Sequence, residues 1–415
     1  MHGGKLTPTQ IIKLLVSATF RYVILHRKLF GKYNGDLMRK PDDTVLKRVS
    51  GTFKEFLERE GLKDLLPTFV ILNAAQGYGY LDEIGALYGL MWNTPEYLAS
   101  EIIAMAPFKD EEYKLKKRKY KYYIWRQGYE DIWNTITRKE NLDIKFNVSI
   151  VEIVRRNSGI KMFYRDRVQK HLVTASCDFL IWTPPMPDLL AVLSRKTPRE
   201  ITLFGGLKNH VYTASLMRSK NTRRNSPITW YRENLLKKID YSVTADMEIA
   251  GTLSLSPYFN ISDYDRCTDR SRVTTVLHLS KDVPGKNHIQ NVAKRFYMKN
   301  FEATDIEFLS TISWPYFYRW NNTDLENLNH WNVFSMQGQK RTWYAGASVS
   351  FESVKSVMEY NNLLIRQIGN SYSRLFKTFQ LLFMHIMIHD YCIYIFSIQM
   401  KENNHLTANI TRLLD

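Results

Sequence analysis

Residues 341–354 read Arg341-Thr342-Trp343-Tyr344-Ala345-Gly346-Ala347-Ser348-Val349-Ser350-Phe351-Glu352-Ser353-Val354. A strand-like run over 342–347 holds a glycine near its end, and a helical pattern opens at Ser353. Such a corner delivers a helix start, with its unpaired N–H groups and partial positive charge, to the end of a strand. A glycine there lets backbone or ligand approach closely, because it has no Cβ. Taken alone, the corner is equally compatible with a ligand site and with a purely structural turn.

Two other segments precede it. Trp125-Arg126-Gln127-Gly128-Tyr129-Glu130-Asp131-Ile132-Trp133 reads as a turn and a helix start, leading through Ile136 to Asn147-Val148-Ser149-Ile150-Val151-Glu152-Ile153. Cys177-Asp178-Phe179-Leu180-Ile181-Trp182-Thr183-Pro184-Pro185 reads as a short buried strand, 179–182, stopped by a proline loop. Around them the chain changes texture. The first 120 residues are mainly helical in pattern, with an amphipathic stretch over 11–25 that places Ile11, Ile12, Leu15 and Ala18 on one side. A short helix over 52–60 closes at Gly61. The apolar stretch 65–80 ends in a glycine-bearing turn. Asp82 is a candidate cap for a helix through Ile84, Leu87, Tyr88 and Met91, and Pro95 starts the next. Beyond Tyr122, strand-like alternation covers 143–146 and 150–155, and 161–165 with 168–174 reads as a hairpin turning at Asp166. Strands are expected at 211–216, 249–255 and 273–279. Helices, then strands, then a strand-to-helix closure imply an α/β or mixed α+β protein.

Composition narrows the function classes. The 415 residues are 44% hydrophobic and 13% aromatic, which is globular and long enough for more than one domain. The formal charge of +17 gathers in Lys114, Lys116, Lys117, Arg118, Lys119 and Lys121, and in Arg218, Lys220, Arg223 and Arg224. No zinc-finger spacing, RNA-binding aromatic signature or helix-turn-helix pattern accompanies them, so they read as solvated faces and not as a nucleic-acid site. Three scattered cysteines, Cys177, Cys267 and Cys392, argue against a disulfide framework and fit a reducing compartment. With no signal-peptide pattern at the start, a cytoplasmic location is expected, and the sequons at Asn147, Asn260, Asn321 and Asn409 carry no weight there.

Two local signals fail as ligand motifs. Gly77-Tyr78-Gly79-Tyr80-Leu81-Asp82 begins like a dinucleotide fingerprint, but Asp82 stands where a small residue is needed, and its charge would repel a pyrophosphate. In the tail, the apolar run 381–398 has transmembrane length, yet His385, His389 and Asp390 interrupt its centre. A carboxylate there costs about 2.5–3.5 kcal/mol, so a packed or disordered segment is expected in place of a span. The histidine pair lacks the Glu of a metalloprotease motif, and no metal site is expected.

The three ordered segments together resemble the flavin-containing amine oxidase family within the wider FAD-dependent oxidoreductases, over roughly residues 65–374. The resemblance implies a Rossmann-like FAD-binding domain interleaved with a substrate domain of mixed sheet and helices. It further implies FAD as cofactor and hydride transfer from an amine or related small-molecule substrate to the flavin. Carried over by residue, Ile150 and Val151 fall on the adenine-contacting strand, and Thr183 and Pro184 on the loop beside the cofactor. Gly346 is the glycine of the closing motif, with Ser350, Phe351 and Glu352 at the helix start facing the flavin. The physics agrees: a reduced flavin carries negative charge at one ring edge, which N–H groups and a helix start stabilise.

The expected division is a helical part of the substrate domain (1–120), an FAD-binding segment (121–200), substrate-domain sheet (201–330), a closing FAD-binding segment (331–374) and an atypical apolar tail (375–415). Trp314-Pro315-Tyr316-Phe317-Tyr318-Arg319-Trp320 would line an apolar cleft or simply pack a core. No catalytic residue is assigned. The family's N-terminal glycine-rich segment is missing, so the resemblance also implies a truncated domain, and Ala347 replaces a Glu common in amine oxidases. The alternative is a non-catalytic scaffold that holds FAD weakly or not at all, its basic clusters serving as a contact surface.

Overall fold

The computed structural model of the chain describes residues 7–33, 35–74, 76–99, 129–220, 228–230, 249–255, 272–280, 283 and 285–371. The turn at 125–128, the basic run 114–121, Arg223, Arg224, Cys267, Cys392, the sequons at Asn260 and Asn409, and the 381–398 segment lie outside them.

The first part is helical. Helix α1 (Pro8–Phe30) opens with a capping box in which Thr7 Oγ1 accepts from Gln10 N–H and Gln10 Oε1 accepts from Thr7 N–H. It docks through Ala18, Tyr22, His26 and Leu29, with Tyr22 Oη donating to Asn93 O at 2.6 Å. Leu15 packs partly on the core on the same side as Ala18, whereas Ile11 and Ile12, in the first turn, are 44% and 46% exposed. Helices α2 (Asp43–Arg48) and α3 (Phe53–Arg59) follow, α3 capped by Thr52 and Glu55. Helix α4 (Leu66–Ala74) is buried over most of its length, and α5 (Ala86–Trp92) starts at Gly85, not Asp82. The reason is a bridge between Thr52 and Gly85, with Phe53 N–H on Ile84 O and Ala86 N–H on Gly51 O, which holds 84–85 extended. A helical turn at 95–99 does begin at Pro95, with Thr94 Oγ1 accepting from Tyr97 N–H.

Helix α6 (Tyr129–Lys139) leads to an antiparallel meander of β1 (Val148–Arg156), β2 (Gly159–Asp166) and β3 (Leu172–Cys177). Residues 143–146 form no strand; they are the irregular approach to β1. The hairpin turn is wider than expected, because Asp166 Oδ1 accepts from both Val168 and Gln169 N–H and folds 167–170 into the loop. Then come β4 (Leu180–Trp182), α7 (Met186–Val192) and α8 (Pro198–Gly205).

A second sheet holds β5 (Lys208–Lys220), β6 (Ile228–Trp230), β7 (Ile249–Leu255), β8 (Arg272–Ser280) and β9 (Thr304–Arg319) in the order β6-β7-β8-β5-β9, all antiparallel. Helix α9 (Lys286–Phe301), not anticipated from sequence, covers one face of this sheet, packing Val292, Ala293, Phe296 and Tyr297 on Met217 and Val276. After α10 (Asn322–Glu326) and α11 (Asn329–Phe334), β10 (Thr342–Tyr344) pairs in parallel with β4, and α12 (Val354–Ser371) closes the described fold. The chain is thus a mixed α/β protein.

The parallel pair is asymmetric. Ala345 N–H donates to Trp182 O, so Trp343 faces β4 while Thr342 and Tyr344 turn their backbone groups outward. That outer edge is closed by side chain and loop: Gln337 Nε2 donates to Tyr344 O and Gln337 Oε1 accepts from Tyr344 N–H, both at 2.7 Å. Gly338 N–H takes Thr342 O. Beside β4, on the far side from β10, no strand lies among the described residues.

A buried ion pair ties the meander to this pair. Arg155 donates to Glu200 at 2.5 and 2.9 Å, and the side chains are 5% and 2% exposed. Tyr344 Oη donates to the same carboxylate at 2.8 Å and Thr197 N–H at 2.7 Å. Burial works to raise the Glu200 pKa, but the hydrogen bonds from Arg155 and Thr197 outweigh it and hold the carboxyl below its ordinary value.

Replacing Glu200 by Ala strands a buried guanidinium, and urea unfolding should register a loss of about 3–5 kcal/mol. Two of the groups that shape the pH dependence, His330 and Glu200, act with the same sign. His330 is buried and pushed down to about 4, so the unfolded chain takes up a proton near the ordinary 6.5 while the folded one does not. The Glu200 contribution is complete above the unfolded carboxyl range and disappears as pH falls through its lower folded value. Thermal stability should therefore decline from about pH 6.5 downward, steepening in acid, and the Glu200→Ala variant should lose the acid-most part of that slope.

Candidate functional site

The corner after β10 is built from two backbones pressed together. Gly346 has φ +87°, and a Cβ at that position would lie 2.4 Å from Thr183 O, inside any tolerable contact. The loop after β4 is also pinned to it, with Met186 N–H on Ser348 Oγ at 3.3 Å. Gly346 O accepts from Val349 N–H, from Ser350 N–H and from Ser350 Oγ, which winds 346–350 into a tight turn. Among the described residues, the N–H groups of Ala347, Ser348 and Phe351 meet no acceptor. Helix α12 begins after this turn, with Ser353 Oγ accepting from Ser356 N–H at 3.1 Å.

Aromatic rings wall the corner. Phe351 lies 5.0 Å from Tyr78, 5.2 Å from Phe317 and 5.8 Å from Trp92, the last nearly coplanar. Tyr78 stacks on Tyr316, which stacks on Tyr212 of β5. Gly77 makes room for this: with φ +85°, its Cβ would sit 2.8 Å from the Tyr212 ring. Burial, then the neighbouring Tyr316 and Glu352, keep the Tyr78 phenol well above its ordinary pKa, so it stays a donor, giving its proton to Glu352 O at 2.6 Å.

Glu352 joins the corner to the second sheet. Its Oε2 accepts from Phe317 N–H at 3.0 Å, where β9 bulges against β5 and Phe317 adopts φ +54°. Beyond the bulge, Arg319 lies over the Phe317 ring and donates through Nη2 to His210 Nε2 at 2.6 Å. Since guanidinium is only a donor, His210 accepts there and carries its proton on Nδ1. Burial lowers the Arg319 pKa, though arginine keeps its charge.

The structure gathers Thr183, Pro184, Gly346, Ser350, Phe351 and Glu352 at the C-terminal ends of β4 and β10. Ile150 and Val151 lie apart, on β1. Val151 is the bulged residue of that strand and is half exposed, while Ile150 packs on the main core. The other end of β1 reaches the start of β10, with Arg155 Nη1 3.5 Å from Thr342 Oγ1. Sequence reading missed the contributions of Tyr78, Trp92, Tyr212 and Glu352's link to Phe317, although Tyr316 and Phe317 stood in the aromatic run already marked. The Gly77–Tyr78–Gly79 run, dismissed as a phosphate loop, proves to be the turn that lays Tyr78 against the corner.

The sequence matches no protein-family model and no curated protein. Solved structures do resemble the chain. The CLA-producing fatty acid isomerase from P. acnes matches over 88% of this chain and 77% of its own, with a TM-score of 0.64 and 16% identity. A putrescine oxidase redesigned in its cofactor binding matches over 89% and 78%, at 0.54 and 8%. Cyclohexylamine oxidase from Brevibacterium oxydans IH-35A matches over 90% and 77%, at 0.50 and 11%. The chain has the fold of these proteins.

Two glycines test the corner against each other. Gly346→Ala forces a positive φ and a clash with Thr183 O, and thermal or urea unfolding should show a cost of about 3 kcal/mol or more. Gly205, at the end of α8, has open space around its Cβ position. Gly205→Ala should leave stability unchanged or raise it by up to about 1 kcal/mol.

Proposed function

We propose that the protein is a FAD-dependent oxidoreductase of the amine-oxidase-like type, taking a hydride from an amine or related small-molecule substrate. The observation that carries this is the close approach of Gly346 to Thr183 at one end of the parallel pair, beside the N–H groups of Ala347, Ser348 and Phe351, which meet no acceptor among the described residues. Fold likeness to two amine oxidases supports the same reading.

The corner fits the ring end of FAD. Ala347, Ser348 and Phe351 present N–H donors with no acceptor among the described residues, as the electron-rich edge of a flavin requires. Gly346 removes the side chain that would hold a ring away. Ile150 and Val151 on β1 are the proposed adenine contacts, and Thr183, Pro184, Ser350, Phe351 and Glu352 the proposed flavin-side contacts. When bound, FAD supplies the two-electron acceptor for the hydride.

The chain's own residues then bind, orient and keep water out. Tyr78, Tyr316 and Tyr212 offer flat apolar surface for a substrate beside the corner. Glu352 holds the bulge of β9 that carries Phe317 and Tyr316 to that position. As the substrate C–H leaves with its electron pair, an amine nitrogen supplies the compensating lone pair and its N–H proton passes to solvent. No protein base is required by this chemistry.

A second reading, a non-catalytic scaffold with weak or no FAD binding, is favoured by one feature. Among the described residues the parallel sheet has only β4 and β10, and no glycine loop stands ready for a pyrophosphate.

Purified protein mixed with FAD and desalted decides between the two. A retained flavin absorption band is the expected result, and Phe351→Ala should shift that band or weaken retention. A colourless parent chain overturns the oxidoreductase reading for this chain and leaves the scaffold.

A further inference from the structure

Helix α1 has two apolar faces, and only one is used. Opposite its docking stripe, Ile12, Val16, Phe20 and Ile24 are 46%, 54%, 67% and 53% exposed. They recur every four residues, so they form one continuous ridge about 18 Å long. Lys13 and Arg21, both exposed, lie on the row to one side of that ridge, and exposed Lys28, four residues after Ile24, continues its line. None of the three makes an ion pair among the described residues, whereas Arg27 on the neighbouring row is paired with Glu96. No Asp or Glu occurs anywhere in Pro8–Phe30.

Leaving such a ridge in water gives up the burial of four large apolar side chains. Nothing in the core explains the choice, because Ala18, Tyr22, Leu29 and Phe30 already anchor the helix. Four features together define what would cover it: a convex ridge, an unpaired cationic flank, no acidic residue, and a chain of net charge +17. A convex ridge asks for a soft surface that can part around it. A cationic flank without any carboxylate asks for a surface of negative charge. Phospholipid bilayers with anionic headgroups supply both.

We propose that α1 seats the protein on an anionic membrane surface. Ile12, Val16, Phe20 and Ile24 enter the headgroup–acyl boundary while Lys13, Arg21 and Lys28 meet the phosphates. The helix lies in the plane of the membrane and does not cross it. No described helix is long and apolar enough to span a bilayer. This contact is independent of the flavin reading, and a colourless protein would still show it.

The test is co-sedimentation of the full chain with vesicles of phosphatidylcholine, alone or mixed with phosphatidylglycerol, at low and high salt. Binding to the mixed vesicles, weakened by salt and poor on the neutral ones, is expected. The double variant Val16→Ser/Phe20→Ser should lower the partition coefficient about tenfold or more. Lys13→Gln, Arg21→Gln and Lys28→Gln should each lower it about fivefold. These side chains are exposed, so circular dichroism and melting should match the parent. Val168→Ser, on the distant meander turn and 73% exposed, should bind like the parent. Absence of binding at low salt overturns the proposal. So does binding unchanged in both sets of variants, which would place the lipid contact elsewhere on the basic surface. Capture by calmodulin, as a probe for acidic protein partners, without vesicle binding would overturn it in favour of a protein surface.

Discussion

The approach of Gly346 to Thr183 O is the constraint on which the rest of the architecture turns. Two parallel strands of three residues each make few hydrogen bonds, so β4 and β10 are not held by their ladder alone. What keeps them in place is their exits. The backbone at Gly346 lies against the backbone at Thr183, with Ser348 and Met186 hydrogen-bonded across the gap. Helix α7 follows from one exit and α12 from the other. A side chain at 346 would press on Thr183 O and spread the exits.

Glu352 extends this junction to the second sheet. A carboxylate that is nearly buried and accepts a backbone N–H is costly to place and hard to replace. Here it holds Phe317 at a positive φ, which breaks the alternation of β9 and turns Tyr316 and Phe317 toward the same aromatic cluster. The hydrogen bond from Phe317 N–H offsets part of both costs, the strain in β9 and the burial of the carboxylate. Glu352 and the ring contacts thus join the corner to the second sheet, with Tyr78 completing the contact through Glu352 O.

Much of this was legible in sequence because it rests on local pattern. β4 is a run of three apolar residues before prolines, β10 leads into a glycine, and α3 carries its own capping box. Errors came where a distant partner overruled the local preference. Asp82 is a good cap in isolation, but the bridge between Thr52 and Gly85 keeps the chain extended past it. The 168–171 segment alternates like a strand, yet Asp166 folds it into a turn. Ile11 and Ile12 fit an amphipathic count but sit in the exposed first turn, while Leu15 and Ala18 of the same pattern pack on the core. The site was half legible. Gly346 and Phe351 stand in a recognisable motif, whereas the roles of Tyr78 and Tyr212 depend on contacts across more than a hundred residues, which no window of sequence contains.

The closure of β10 by Gln337 has a bearing on how copies of this protein can meet. Strand edges recruit other strands, and a sheet with two open edges can grow without limit. Gln337 gives Tyr344 both the acceptor and the donor that a neighbouring strand would have given, and Gly338 N–H gives Thr342 O a donor. With both backbone groups of Tyr344 engaged and Thr342 O taken, the outer margin of β10 has little free backbone left with which to recruit a strand from another copy.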